Sequence, residues 1–255
     1  AAVIEQCTYD GTIYSAEEVL NRIGHLCDYI LFDEAWAGFM KFHPLFRGRF
    51  GMGLEKLGPD APGILVTQST HKQLASFSQA SQIHVKDSHL GEQRRRVGHR
   101  RFNEMYLLHA STSPFYPLFA SLDVGAQMMK GRSGEVLWDD TVRLGIEMRK
   151  KLRFTAREMA EKEADPARRW FFEPFVPKTV RLDGVPTPWE EVPTDLLAAN
   201  PEHWEFRPGE DWHGFGDVPA GWAMTDPNKL TVLMYSLNDI CLLYTSPSPR
   251  DGLLS

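Results

Sequence analysis

Tyr29-Ile30-Leu31-Phe32-Asp33 decides the fold class. Four apolar residues follow one another without the alternation of a half-exposed strand, and a carboxylate closes the run. Such a run predicts a strand covered on both faces, as in a parallel sheet flanked by helices. Upstream of it, Val3 to Gln6 reads as a short strand and Thr8-Tyr9-Asp10-Gly11 as a turn. Ser15 is placed to cap a helix, with Glu17 and Glu18 in its first turn and Val19, Leu20, Ile23 and Leu26 as an apolar stripe. Downstream, Gly63-Ile64-Leu65-Val66-Thr67 is a third strand that runs into Gln68-Ser69-Thr70-His71-Lys72. Polar groups at the C-terminal ends of such strands stand where an open α/β sheet places its ligand.

Beyond this core, Phe102 to Leu108, Pro114 to Met129 and a charged amphipathic stretch from Asp139 to Arg153 are predicted helices. Glu161 to Arg169 is charged and solvated, and Trp170-Phe171-Phe172 opens a Pro- and Trp-rich region with strand-like pieces up to Met234. The change in character places a domain boundary at Gly131 to Gly134. Residues 1–132 are then one domain, 133–240 a second, incomplete one, and neither contains an internal repeat.

Composition narrows the function classes. With 255 residues, 42% of them apolar and 11% aromatic, the chain can bury the core of one large domain or of one and a half. A net charge of -6, from 34 acidic and 28 basic residues, disfavours a nucleic-acid partner and gives no reason to invoke an anionic membrane. No run approaches the roughly 20 apolar residues that span a bilayer. The N-terminal Ala1-Ala2-Val3-Ile4 has neither an initiator Met nor a basic signal start, so the chain is expected to begin in mid-fold. Cys7, Cys27 and Cys241 form no C-x-x-C pair, which favours a reducing cytoplasm over a disulfide scaffold or a thiolate zinc site. Residues 241–255 break abruptly from the apolar run at Leu230 to Met234. The stretch from Cys241 to Asp251 back-translates into a transposase-type adapter of short-read DNA libraries, so it is expected to be read-through rather than native protein.

Two residues stand out as chemistry. Lys72 follows a strand at an address where solvent is not the obvious destination, and a partly desolvated lysine has a lowered pKa and can condense with an aldehyde. By spacing alone an ordinary solvated lysine remains the commoner alternative. Asp33, at the end of a buried strand, is costly to bury unless it meets a cation or a donor. A pyridinium N–H would be such a donor, and a turn or capping aspartate is the plain alternative.

The longer motifs then carry a resemblance. Thr8-Tyr9-Asp10-Gly11-Thr12-Ile13-Tyr14, the block from Gly24 to Asp33-Glu34-Ala35-Trp36, Gln68-Ser69-Thr70-His71-Lys72, the block from Phe77 to His84, and Leu108 to Tyr116 are similar to the bacterial ornithine/lysine/arginine decarboxylases. So are Pro208 to Phe215 and Asp226 to Leu230, and the likeness covers nearly all of residues 3–236. It implies the α/β, aspartate-aminotransferase-like fold of pyridoxal-phosphate enzymes (fold type I) for a large domain lacking its N-terminal part, followed by part of an α+β C-terminal domain. It implies pyridoxal 5'-phosphate as cofactor and decarboxylation of a basic amino acid, with ornithine to putrescine and carbon dioxide first, since the blocks around Gly24 and Phe115 look closest to that branch.

Carried onto this chain, the resemblance makes Lys72 the lysine that holds the cofactor covalently, Asp33 the partner of the pyridine nitrogen, and Trp36 a wall of the cofactor pocket. Ser69 and His71 match phosphate-binding positions, and Ser113, with Thr112 beside it, matches a phosphate contact supplied to a neighbouring subunit, which implies at least a homodimer. The family's phosphate loop and stacking aromatic belong upstream of Ala1, and the acid that recognises the distal amine belongs downstream of Ile240. The chain by itself is therefore expected to bind cofactor weakly and turn over little. Glu34 and Thr70 look as much like the arginine branch, so arginine and lysine stay open as substrates, as does a non-catalytic binding relative, against which intact Lys72 and Asp33 argue.

The remaining features read plainly. His84, His89, His99 and His109 lack metal-ligand spacing, so no metal is expected. Gly48-Arg49-Phe50-Gly51-Met52-Gly53 lacks the lysine of a phosphate loop and reads as a flexible turn, and the five arginines between Gln93 and Arg101 as a solvated loop. Trp212 and His213 are candidates for the site's border or for packing.

Overall fold

In a computed structural model of the chain, residues 1–165, 168–169, 171–208 and 218–233 are described. Trp170, most of the Pro208 to Phe215 motif, with Trp212 and His213, and the stretch 241–255 lie outside the described residues. The chain divides into two compact units, Ala1–Asp140 with Glu205–Met224, and Thr141–Trp204 with the residues from Thr225 on.

The first unit contains β1 (Ala2–Glu5), β2 (Thr12–Tyr14), α1 (Ala16–Ile23), β3 (Tyr29–Asp33), β4 (Gly63–Gln68), α2 (Thr70–Gln73), β5 (Gln82–Lys86), α3 (His99–Leu107) and α4 (Tyr116–Met128). Its four-stranded sheet has the order β1-β3-β4-β5. The two neighbours of β3 are parallel to it, and the register sets Asp33 opposite Glu5 on one side and Thr67 on the other. Ser15 caps α1, its hydroxyl accepting the Glu18 N–H at 3.2 Å. β1, β3, β4 and α1 are the strands and helix expected from the apolar runs, but α1 ends at Ile23 and leaves Leu26, expected on its apolar stripe, exposed.

β5 was not legible in the same way, and it runs antiparallel to β4. Between the two strands the chain forms only the four-residue α2. That is too little helix to carry a crossover back across the sheet, as a parallel strand requires.

The core of this unit is Ala16, Val19, Ile30, Phe32, Leu54, Ile64 and Val66. Each large apolar side chain fully buried there contributes roughly 1.5–3 kcal/mol. The segment from Gly48 to Gly53 is a turn, as expected, but a packed one. Gly51 is buried, and a Cβ on it would lie 2.7 Å from Val66 Cγ2 and 2.8 Å from Phe32 Cδ2, so only glycine lets the backbone come this close. Arg49 beside it is buried as an ion pair with Glu205.

The second unit takes up α5 (Arg132–Lys162), which begins in the first and extends the expected helix at both ends. It continues through β6 (Glu173–Pro174), β7 (Thr179–Leu182), β8 (Val185–Pro188), α6 (Thr194–Ala199), β9 (Ala223–Thr225), shared with the first unit, and β10 (Val232–Leu233). β7 and β8 form a hairpin on Asp183 and Gly184, both at positive φ (49° and 81°), the pair of conformations a tight turn between twisted strands needs. Trp189 and Trp204 meet edge to face at 5.2 Å in its interior. Arg149 is wholly buried there and donates to the carbonyls of Gly145 (3.0 Å), Pro227 (2.7 Å) and Asp226 (2.9 Å). Among the described residues no helix is long and apolar enough to cross a membrane.

Candidate functional site

The C-terminal ends of β3 and β4 open on a cavity of about 530 Å³ whose walls include Asp33, Thr67, Gln68, Ser69, Lys72 and Tyr106. Parallel pairing creates it: two adjacent strands end together, and the chain leaves each in a loop, so polar side chains collect at one edge.

Asp33 stands at the end of β3. Its Oδ1 accepts the Ala35 N–H at 3.0 Å and lies 3.5 Å from the Thr67 hydroxyl, while Oδ2 has no partner among the described residues. The turn role and the site role therefore coexist, because the turn uses one oxygen and leaves the other. Ser69 precedes α2 and makes no capping bond, so its hydroxyl is also without a partner among the described residues.

Lys72 sits on α2 and is exposed, whereas a partly desolvated lysine was expected. Its Nζ stands over the face of Trp36, 4.3 Å from the ring centroid, and it makes no ion pair among the described residues. A cation on an aromatic face at such a site is worth about 0.5–1 kcal/mol. Trp36 is steadied by Tyr9, which meets it edge on at 5.3 Å. His71 is turned away from the cavity: its Nδ1 lies 2.7 Å from the Ala80 carbonyl, which fixes Nδ1–H as the donor and leaves Nε2 as the remaining ring nitrogen.

Thr112 and Ser113 are exposed on the loop between α3 and α4, and neither lines the cavity. Asp33, Ser69 and Lys72 are thus brought together, with Trp36 against Lys72; His71 lies beside them, and Thr112 and Ser113 stand apart. A larger cavity of about 650 Å³, between Phe77 and Tyr116, is apolar and carries no carboxylate, imidazole or amine. Among the described residues no group of three or more His, Cys, Asp or Glu is placed to hold a metal.

Sequence reading missed three members. Gln68 and Tyr106 line the cavity, and Glu34 lies buried beside Asp33. Glu34 accepts the Gly51 N–H at 2.5 Å and the Gln68 amide at 3.1 Å. Burial pushes its carboxyl up to about 7; those two donors pull it down, and the Asp33 charge adds to the rise. Two acids in succession after a buried strand were the available signal, since consecutive side chains leave a strand on opposite sides.

Residues 1–240 match the family model described as Orn/Lys/Arg decarboxylase, major domain. The constitutive ornithine decarboxylase of Escherichia coli (strain K12) is 47% identical over 229 residues, 90% of this chain and 30% of the relative. The inducible ornithine decarboxylase of Lactobacillus sp. (strain 30a) is 45% identical over 237 residues, 93% of this chain and 30% of the relative. Lysine decarboxylase A from Pseudomonas aeruginosa superposes with a TM-score of 0.73 at 34% identity, over 90% of this chain and 28% of that one. The chain spans about 30% of the length of the curated relatives it matches. The matched ornithine decarboxylases stand at higher identity than the matched arginine and lysine decarboxylases.

Proposed function

Because this chain belongs to the Orn/Lys/Arg decarboxylase family, we propose that it carries the reaction centre of a pyridoxal-phosphate-dependent decarboxylase of basic amino acids, with ornithine as substrate. One observation carries the reading: a single cavity at the ends of adjacent parallel strands holds a carboxylate, Asp33 of β3, and an amine, Lys72 of the helix that follows β4.

The donor set fits the cofactor. Lys72 has an amine without an ion pair, Asp33 an oxygen without a partner and Ser69 a hydroxyl without one, all among the described residues. These suit an aldehyde, a ring N–H and a phosphate oxygen in turn. When bound, pyridoxal phosphate supplies the electron sink that accepts the pair left on the α-carbon as carbon dioxide departs. Lys72 Nζ would hold the cofactor through its aldehyde carbon, and Asp33 would accept a hydrogen bond from its ring nitrogen. Trp36 would give the site a flat apolar wall, Ser69 would donate to the phosphate, and His71, its Nδ1–H given to the Ala80 carbonyl, would donate to it through Nε2 only as the imidazolium.

Thr112 and Ser113, exposed and away from the cavity, support a homodimer or larger homo-oligomer in which each chain completes its neighbour's phosphate site. We further read residues 1–132 as the C-terminal part of a fold type I large domain, 133–240 as part of a smaller C-terminal domain and 241–255 as adapter-derived, and we place the protein in the cytoplasm on its cysteine usage. Ornithine is preferred over lysine and arginine because the matched ornithine decarboxylases share more identity with this chain.

The test compares the full-length protein that contains this chain with its Lys72→Ala variant. A cofactor absorbance band that vanishes in the variant, with carbon dioxide released from ornithine in preference to arginine and lysine, is the expected result. A band that survives Lys72→Ala, or that never forms in a folded, cofactor-saturated parent, overturns the assignment.

A further inference from the structure

Asp33 and Glu34 diverge at the end of β3. Asp33 lines the cavity, and Glu34 is fully buried. One Glu34 oxygen accepts the Gly51 N–H at 2.5 Å, and the other is 3.1 Å from the side-chain amide nitrogen of Gln68. Gln68 is itself a wall of the cavity, and its Oε1 lies 3.2 Å from Nε2 of His84 on β5. A buried carboxyl, an amide and an imidazole thus form one chain of hydrogen bonds beside the candidate reaction centre.

The chemistry of the three groups fixes the polarity of that chain. An ionised carboxylate only accepts, so Gln68 must offer its NH₂ end to Glu34 and its carbonyl to His84. His84 must then carry its proton on Nε2. A protonated Glu34 behaves differently. With one oxygen held by Gly51, its proton sits on the other and donates to Gln68, whose amide turns over to accept it. The NH₂ end now faces His84, which must present a bare Nε2 and keep its proton on Nδ1.

We infer that Glu34 is a positioning residue that acts through Gln68: its proton decides which end of an amide the cavity wall turns each way, and with it the tautomer of His84. This rests on the cavity being the cofactor site, since only there does the polarity of the wall, or a second negative charge beside Asp33, bear on a reaction. Burial holds the Glu34 carboxyl at about 7, where a change of state is within physiological reach. Burial also pushes His84 down, which favours the neutral ring whose tautomers are at issue.

The groups that face Glu34 are few. Asp33 precedes it, the Gly48 to Gly53 turn supplies a backbone N–H, β4 supplies Gln68, and β5 supplies His84 through Gln68. The nearby cations are committed elsewhere: Arg49 to Glu205 and the Gly221 carbonyl, and Lys86 to the Met52 and Leu54 carbonyls.

Solid-state nitrogen NMR of the full-length protein, histidine-labelled and free of cofactor, tests this, with His84 identified by its loss in His84→Gln. In the native protein the His84 proton should move from Nε2 at about pH 9 to largely Nδ1 at about pH 6.5, where burial keeps the ring neutral, with its midpoint near 7. Glu34→Gln should hold it on Nδ1 at both pH values, because the new amide must accept from Gly51 and donate to Gln68. Gln68→Leu should abolish the dependence on pH. A His84 tautomer that is the same in the native protein and in Glu34→Gln at both pH values overturns the inference; so, should that variant fail to fold, does a pH-independent tautomer in the native protein. The readout needs no cofactor. A tautomer that reverses while Lys72→Ala keeps its absorbance band supports the relay and overturns the cofactor reading, and the opposite pair of results overturns the relay alone.

Discussion

Glu34 should make local stability fall as pH rises, and its conversion to glutamine should remove that slope. A carboxyl that ordinarily titrates at 4.5 and here titrates at about 7 binds its proton more tightly in the folded state. Its contribution is fully present below the unfolded value, declines between the two values, and is lost once pH has risen through the folded one. At about 1.4 kcal/mol for each tenfold change in affinity, the loss amounts to roughly 3 kcal/mol. The cause is burial with two donors, which is not enough to hold a free charge. Hydrogen exchange of a peptide covering residues 48–54, which contains the Gly51 N–H, reports the opening that lets water reach this carboxyl. Comparing the native protein with Glu34→Gln at each pH cancels intrinsic exchange rates. The ratio of native to variant protection should fall roughly 40-fold between about pH 5 and pH 7, as linkage requires. A ratio constant within about threefold across that range would show that Glu34 is ionised throughout, and the reasoning from burial would be wrong.

Two further substitutions probe the packing that frames the site. Gly51→Ala places a methyl against Val66 and Phe32 and strains the turn that donates to Glu34. It should lower stability by about 1–3 kcal/mol in urea unfolding, and an unchanged midpoint would mean the turn can move away. Arg149→Met removes donors from the Gly145 carbonyl and the buried Asp226 and Pro227 carbonyls and leaves Lys229 as the remaining cation that pulls down the Asp226 carboxyl, already pushed up to about 6 by burial. The expected loss is about 3–5 kcal/mol, read as a lower first unfolding transition; a loss below about 1 kcal/mol would show that water replaces the guanidinium.

The parts of the fold visible in sequence are those where burial is continuous. Tyr29 to Phe32 and Gly63 to Thr67 announce themselves because both strands lie inside the sheet, and Ser15 announces α1 because a cap is a local contact. β5 did not, since its two apolar residues, Ile83 and Val85, are partly exposed and its neighbours are polar. The true length of α5 was hidden at its N-terminal end by Gly134, which counts against helix, and at its C-terminal end by the charged stretch that begins at Glu161. Gly145 is there for a reason no local rule contains: a Cβ at that position would lie 2.6 Å from the Pro227 carbonyl, 82 residues away by subtraction of the two numbers. The Asp33 and Lys72 pairing was legible only through the resemblance, since spacing alone left a turn aspartate and a solvated lysine as the plainer readings, and the exposure of Lys72 was not, since nothing in the sequence tells how much of a cavity's cover lies on the same chain.

The end of β3 shows where such reading stops. Two carboxylates in succession have the same composition and nearly the same local sequence, yet a strand sends successive side chains to opposite sides. One reaches a cavity with an oxygen left over; the other is enclosed with both oxygens engaged. Enclosure does to Glu34 what it does to any carboxyl that lacks a cation: it makes the neutral form competitive near pH 7. The formal charge of the Asp33-Glu34 pair therefore overstates the field at the strand end, by an amount that depends on pH. A reaction that relies on Asp33 to hold a proton on a ring nitrogen would then sense the second carboxyl as a variable charge rather than a fixed one, and that dependence enters through a residue that never touches the substrate.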